Sequence, residues 1–177
     1  ILHRGAAKNL CRCLFIYFAP LSLTDKNIYP WLHSVPTIRR LMVEDYEAAI
    51  ALWQRSSLPS IRPQGRDSKI EFAQQIERGQ IVIGLEDDGK LVGIVVATND
   101  TRKGWINRLA IDPIYRRKGY GMQLIHAAED ALRSIGIKVI AALIEDWNDA
   151  SLELFKREGY VVHSDIYYVS KRDSETD

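Results

Sequence analysis

The segment Arg116-Arg117-Lys118-Gly119-Tyr120-Gly121 constrains this chain most, because it stands between a strand-like run and a helix-like one. Glycines at 119 and 121 let the backbone take positive φ and let a ligand approach closely. The N–H groups of such a loop converge at the mouth of the following helix, where the macrodipole favours an anion. Arg116, Arg117 and Lys118 add formal positive charge beside that nest. A diphosphate is the natural guest, and a glycine turn with a solvated basic face is the competing reading. Two common phosphate motifs are excluded. No G-x-x-x-x-G-K-[ST] spacing occurs, and a G-x-G-x-x-G fingerprint starting at Gly119 fails at Leu124.

The flanking pattern places this loop in an alternating architecture. Residues 37–41 alternate as a first strand, and Tyr46, Ala49, Ile50 and Trp53 then lie on one helical face. Residues 56–67, rich in Ser and Pro, read as a long loop, and Ser68-x-x-Glu71 opens a second helix ending near Gly79. Runs 81–86 and 90–98 flank Asp87-Asp88-Gly89, a hairpin signal, and 105–112 is the next strand. A helix follows over 121–134. The almost unbroken apolar run 137–144 predicts a strand covered on both faces. A helix over 149–158 and strands at 160–162 and 166–170 complete the order βααβββαβαββ. The fold class is α/β (α+β), a mixed sheet with helices on both faces.

Charge separates the ends of the 177 residues. Lys and Arg total 24 against 23 Asp and Glu, for a net +1. Residues 1–36 hold four basic side chains against one acidic, and the remainder holds 20 against 22. The body of the chain is therefore slightly acidic, which argues against a nucleic-acid partner. The run 13–19 follows a basic stretch and loosely resembles a signal peptide, yet seven apolar residues fall well short of a membrane span. Residues 1–36 read as a separate N-terminal extension. Cys11 and Cys13 are too few and too close for a disulfide framework or a zinc site, so no metal is expected and the location reads as cytoplasmic.

Three segments in register resemble the GNAT superfamily of acetyl-CoA-dependent N-acyltransferases. Arg116, Gly119 and Gly121 match its [QR]-x-x-G-x-[GA] signature. Leu109-Ala110-Ile111-Asp112-Pro113 matches its L-A-V-D-P strand end, and Asn148, Leu154, Phe155, Gly159 and Tyr160 match its N…L-Y…G-F pattern. The resemblance covers about residues 37–171, giving an acyltransferase domain over 37–172 and a polar tail over 173–177. It implies a GNAT fold whose central sheet splays at the cofactor cleft. It also implies acetyl-CoA as acyl donor, with a small-molecule, peptide or protein amine as acceptor, and leaves a homodimer open. By the same resemblance, the backbone of Leu109, Ala110 and Ile111 would bind the pantetheine arm. Arg116, Arg117, Lys118, Gly119, Tyr120, Gly121 and Met122 would cradle the pyrophosphate. Asn148 and Phe155 would contact the cofactor from the other side of the splay; Asn148 is equally a good helix N-cap.

The chemistry so implied is direct attack of a neutral amine on the thioester carbonyl, with an acid to protonate the leaving thiolate. The family usually supplies that acid as a tyrosine where this chain has Phe155, which cannot donate a proton. Either the thiolate leaves with solvent protonation, or another tyrosine substitutes, or the chain is an acyl-CoA-binding module with little catalysis. Tyr160 sits at the family's structural aromatic position, and Tyr115, Tyr167 and Tyr168 are further candidates. As base, a partly desolvated Glu145 at the end of the 137–144 run would accept a proton through water, and Asn107 would orient that water. The solvated exit of a strand is the competing reading of Glu145. Acceptor identity should depend on the first two helices and the loop between them, where Arg62 and Arg66 would meet a carboxylate or simply face solvent.

Overall fold

In the computed structural model, residues 35–58, 61–171 and 173 are described; the extension over 1–34, Pro59 and Ser60, and the end of the polar tail lie outside them. The described residues belong to one compact unit, Ser34–Asp177. Among the described residues, five strands form one sheet in chain order: β1 (Thr37–Arg40), β2 (Ile81–Asp87), β3 (Lys90–Asn99), β4 (Lys103–Ile111) and β5 (Val139–Ala142). The first four are antiparallel, and β5 joins β4 in parallel after the crossover through α3 (Tyr120–Ser134). The expected β2–β3 hairpin forms, with Asp88 and Gly89 both at positive φ (54° and 73°), the backbone that a two-residue type I′ turn needs.

Alternation along the strands sorts their side chains onto two helical layers. Ile81, Ile83, Leu85, Val95 and Ala97 pack with Leu124, Ile125, Ala128 and Leu132 of α3. Val82, Ile94, Val96 and Ala110 face the other way, against α1 (Tyr46–Arg55) and Phe72 of α2 (Lys69–Glu77). Each wholly buried Leu, Ile or Val stabilises the fold by about 1.5–3 kcal/mol. Tyr46, Ala49, Ile50 and Trp53 are all buried, as their helical spacing predicts. Ser68 caps α2 by accepting the Glu71 N–H. Helix α4 (Asp149–Arg157) packs on the α3 side through Phe155.

Two expectations fail. The run 137–144 is not a strand covered on both faces: only Val139–Ala142 pairs, and these residues are exposed or half-buried. As the last strand of the sheet, β5 has a ladder on one side only, and Val139 and Leu143 stay exposed. Segments 160–162 and 166–170 carry β-rich residues but join no ladder, and Ile166, Tyr167, Tyr168 and Val169 are exposed. Strand propensity measures fit to a pleated, half-buried surface, and without a partner strand it selects nothing.

Candidate functional site

The site begins where the sheet divides. Strand β4 pairs with β5 only over Lys103–Ile106, and beyond Ile106 the two part. On its other side β4 stays paired: Ala110 opposes Ile94, Ile111 opposes Gly93, and the Asp112 N–H donates to the Val92 carbonyl (2.9 Å). Backbone groups alternate sides along a strand, so Ala110 also bonds toward β3, while Leu109 and Ile111 face the gap. Ala110 therefore offers the gap no backbone pair, and the edge expected from three residues reduces to Leu109 and Ile111. The Ile111 carbonyl already accepts from Ser56 Oγ (3.2 Å) and Arg116 Nε (3.3 Å). Asp112, buried, holds this end of β4 by accepting from Arg55 Nε at 3.1 Å on α1 and from the Ile114 N–H.

A register shift lies in the same stretch. Between the pairs Ile94–Ala110 and Val96–Asn107, Val95 faces two residues, Arg108 and Leu109, which makes a β-bulge. Arg108 takes φ of 52°, and its carbonyl accepts from Trp53 Nε1 (3.1 Å). Its guanidinium lies 5.6 Å from the Trp53 ring centroid and pairs with the buried Asp67. The Asp67 carboxylate is itself anchored by the Arg62 N–H (2.7 Å). Asn107 opposes Val96 on this same face and donates to Thr98 Oγ1 (3.1 Å).

Past the end of β4 the chain enters the glycine-bearing loop. Arg117 and Gly119 have positive φ (65° and 79°), and α3 begins at Tyr120. The first helical bond runs from the Gln123 N–H to the Gly119 carbonyl. Among the described residues, no backbone carbonyl accepts from the N–H groups of Gly119 through Met122. Free N–H groups at a helix mouth form the kind of nest that favours an anion. Its side chains divide their work differently from the expected basic cluster. Arg116 braces the loop on the Ile111 and Ser56 carbonyls. Lys118 sits 3.5 Å from Asp87 and 4.7 Å above the Tyr115 ring, while Arg117 is exposed. Tyr120 turns inward and donates to Asp87 (2.7 Å); burial and that carboxylate push its hydroxyl up to about 12. Only the backbone of Tyr120 serves the nest. Met122 remains partly exposed at the first turn.

Between the parted strands lies a cleft of about 420 Å³. Asn107, Arg108 and Leu109 form one wall, and Glu145, Asn148 and Phe155 the other. Asn148 caps α4 by accepting the Ser151 N–H (3.2 Å), as expected, and also lines the cleft. Phe155 is almost fully buried, edge-on to Tyr160 with ring centroids 4.9 Å apart. The Tyr160 hydroxyl donates to Glu129 of α3 (2.7 Å), and burial followed by that contact raises its pKa well above the usual value. Tyr160 is thus a structural residue. Tyr167 and Tyr168 lie on the exposed C-terminal stretch. Glu145 lines the cleft but stays exposed, so the partial desolvation expected there is missing. Sequence reading overlooked Arg108; the adjacent polar pair Asn107-Arg108, breaking the alternation of an otherwise regular strand, is the signal that marks its bulge.

Among the described residues, no group of three or more His, Cys, Asp or Glu is placed to hold a metal ion, and no helix is long and apolar enough to cross a membrane.

Comparison with known proteins agrees with this geometry. The sequence model described as the acetyltransferase (GNAT) family matches residues 36–160. PaiA N-acetyltransferase from Thermoplasma acidophilum, solved in complex with coenzyme A, is 22% identical with a TM-score of 0.65, over 73% of this chain and 92% of that one. The ribosomal-protein-S18-alanine N-acetyltransferase of Escherichia coli is 23% identical with a TM-score of 0.61, over 71% and 77%. Glucosamine-6-phosphate N-acetyltransferase from Arabidopsis thaliana is 18% identical with a TM-score of 0.60, over 80% and 100%. A mixed sheet that splays beside a nest at the head of α3, and a family match over most of the described chain, make this protein a member of the GNAT acetyltransferase family.

Proposed function

We propose that this protein is an acetyl-CoA-dependent N-acetyltransferase that moves an acetyl group directly to a primary amine. The observation that carries the reading is the open β4 edge running into the N–H nest of α3. An acyl-CoA has amides along its pantetheine arm and a diphosphate beyond them, and these match an unpaired strand edge followed by an anion nest. A Cβ built on Gly119 would meet nothing within 4 Å, so the nest opens onto free space. Leu109 and Ile111 would pair with the pantetheine amides, the N–H groups of residues 117–122 would hold the diphosphate, and Asn148 and Phe155 would close the far side.

The thioester carbonyl then lies near the bulge, with the acceptor entering from the α1–α2 side. The amine attacks in its neutral form, and the C–S bond breaks as the amide forms. Glu145 would take the amine proton through water from the exposed rim, and Asn107 would orient that water from Thr98. The thiolate leaves into solvent, because Phe155 has no proton to give and the Tyr160 hydroxyl is committed to Glu129. That pair of facts also favours a second reading, a CoA-binding module with little turnover.

Thiol release from acetyl-CoA, followed across an amine panel between about pH 6 and 9, separates the two. Release that depends on an amine establishes the transferase. Tight CoA binding without release from any amine establishes the module.

A further inference from the structure

The acceptor side of the cleft carries a charge pattern that the transferase reading does not by itself explain. The cleft continues into a second lobe of about 220 Å³, with Gln75, Gln80 and Thr98 lining both. The charged side chains that line the two lobes, among the described residues, are Arg66, Arg78, Arg108 and Glu145. Three guanidiniums thus face a single lining carboxylate on the opposite wall, and the buried Asp67 behind the cleft offsets one of them. The remaining polar groups on the acceptor side are amides and a hydroxyl, which carry no charge.

Arg108 is the best-placed of the three. The bulge inserts it between Asn107 and Leu109, beside the strand edge. Its backbone is held in the left-handed region, its ring-stacked guanidinium rests on Trp53, and Asp67 fixes one end of the fork. Only one nitrogen, Nη1, is engaged by Asp67, and a guanidinium has five N–H donors, so the fork keeps donors for a ligand. The side chain is 20% exposed, and Arg108 lines the cleft. A cation immobilised in this way binds an anion without ordering a free side chain.

Resting on the transferase reading, we infer that the acceptor is a small amine carrying an anionic oxygen group, a carboxylate or a phosphate, a few bonds from the nitrogen. Arg108 anchors that group, and Arg78 adds positive charge at the second lobe. A polyamine or a lysine-rich peptide would meet this wall with like charge and is disfavoured.

The test compares matched acceptors by initial rates of thiol release from acetyl-CoA. The pairs are an amino acid with its carboxamide and O-phosphoethanolamine with ethanolamine; spermidine serves as the cationic probe. The anionic member of at least one pair should show kcat/KM higher by about tenfold or more than its neutral partner, and which pair responds distinguishes carboxylate from phosphate. Replacing Arg108 alone would leave Asp67 buried and uncompensated, so the variant is R108Q/D67N. Its anionic-to-neutral ratio should fall toward one while the KM for acetyl-CoA stays within about twofold, and R78Q should lower the ratio less. Preference for spermidine or for the neutral members overturns the inference, and so does an unchanged ratio in R108Q/D67N. Should the double variant fail to fold, R78Q and the wild-type comparison still decide it. Absence of release from every amine would instead overturn the transferase reading, and this inference with it.

Discussion

At the scale of single residues, Gly121 and Phe155 show how a motif position can serve packing and chemistry together. A Cβ on Gly121 would lie 2.9 Å from Leu154 Cδ2 on α4, so the small residue lets α3 and α4 approach as well as opening the nest. Gly121→Val should therefore lower stability by about 1–3 kcal/mol as well as weakening CoA binding, read by thermal unfolding and calorimetric titration. From the motif alone, one expects loss of binding with the fold intact; the Leu154 contact is invisible in the sequence because it joins two helices 33 positions apart. For Phe155→Tyr, restoring the family's usual hydroxyl at the cleft should leave turnover equal or raise it. A large fall in turnover would show that the edge-on contact with Tyr160 needs the bare ring.

Among the elements, the hairpin, the first four strands and all four helices were legible because each has a local cause: a turn dipeptide, a cap, or a periodic apolar face. The splay was legible only through family resemblance, since it depends on where β4 and β5 stop pairing. The two C-terminal strands and the double-sided burial of 137–144 misread composition as structure, because among the described residues no partner strand flanks β5 on its outer edge. A tertiary device at the start of the domain gives a pH prediction. Arg39 pairs with both Asp45 (2.8 Å) and Glu86 (2.7 Å), and its hydrogen bond holds the Asp45 carboxyl below the usual range. A carboxylate depressed in the folded state contributes stability above its unfolded pKa of about 3.9, and loses it as the pH falls further. Arg39 is partly solvated, which limits the contribution to about 0.5–1 kcal/mol. Asp45→Asn should accordingly unfold more easily than wild type at pH 7, and the difference should close in acid below that value.

Across the described residues, two cores lie on opposite faces of one sheet, and the sheet is weakest beside the proposed cofactor cleft. The β4–β5 ladder spans four residue pairs, whereas β2–β3 spans seven. Amides of β2 and β3 should exchange slowest with solvent, and those of β5 and the 143–148 segment faster. CoA at about 100 times its Kd should add about 2.7 kcal/mol, raise the melting temperature by about 5–10 °C, and slow exchange selectively along β5 and α4. Uniform slowing across the sheet would place the ligand elsewhere.

The bulge at Arg108 has a consequence for how folding and activity can be separated. Without that one residue, Asn107 would still oppose Val96, and Leu109, Ala110 and Ile111 would oppose Val95, Ile94 and Gly93 in an unbroken ladder. Every apolar side chain would keep its present face. Deleting Arg108 together with Asp67→Asn, so that no lone carboxylate stays buried, should thus heal the strand and leave both cores in phase. Such a chain would keep its two cores but lose the carbonyl to which Trp53 Nε1 donates, and it would present a straight strand along the proposed acceptor cleft. The inserted residue is an interruption that the facing of the two cores does not require.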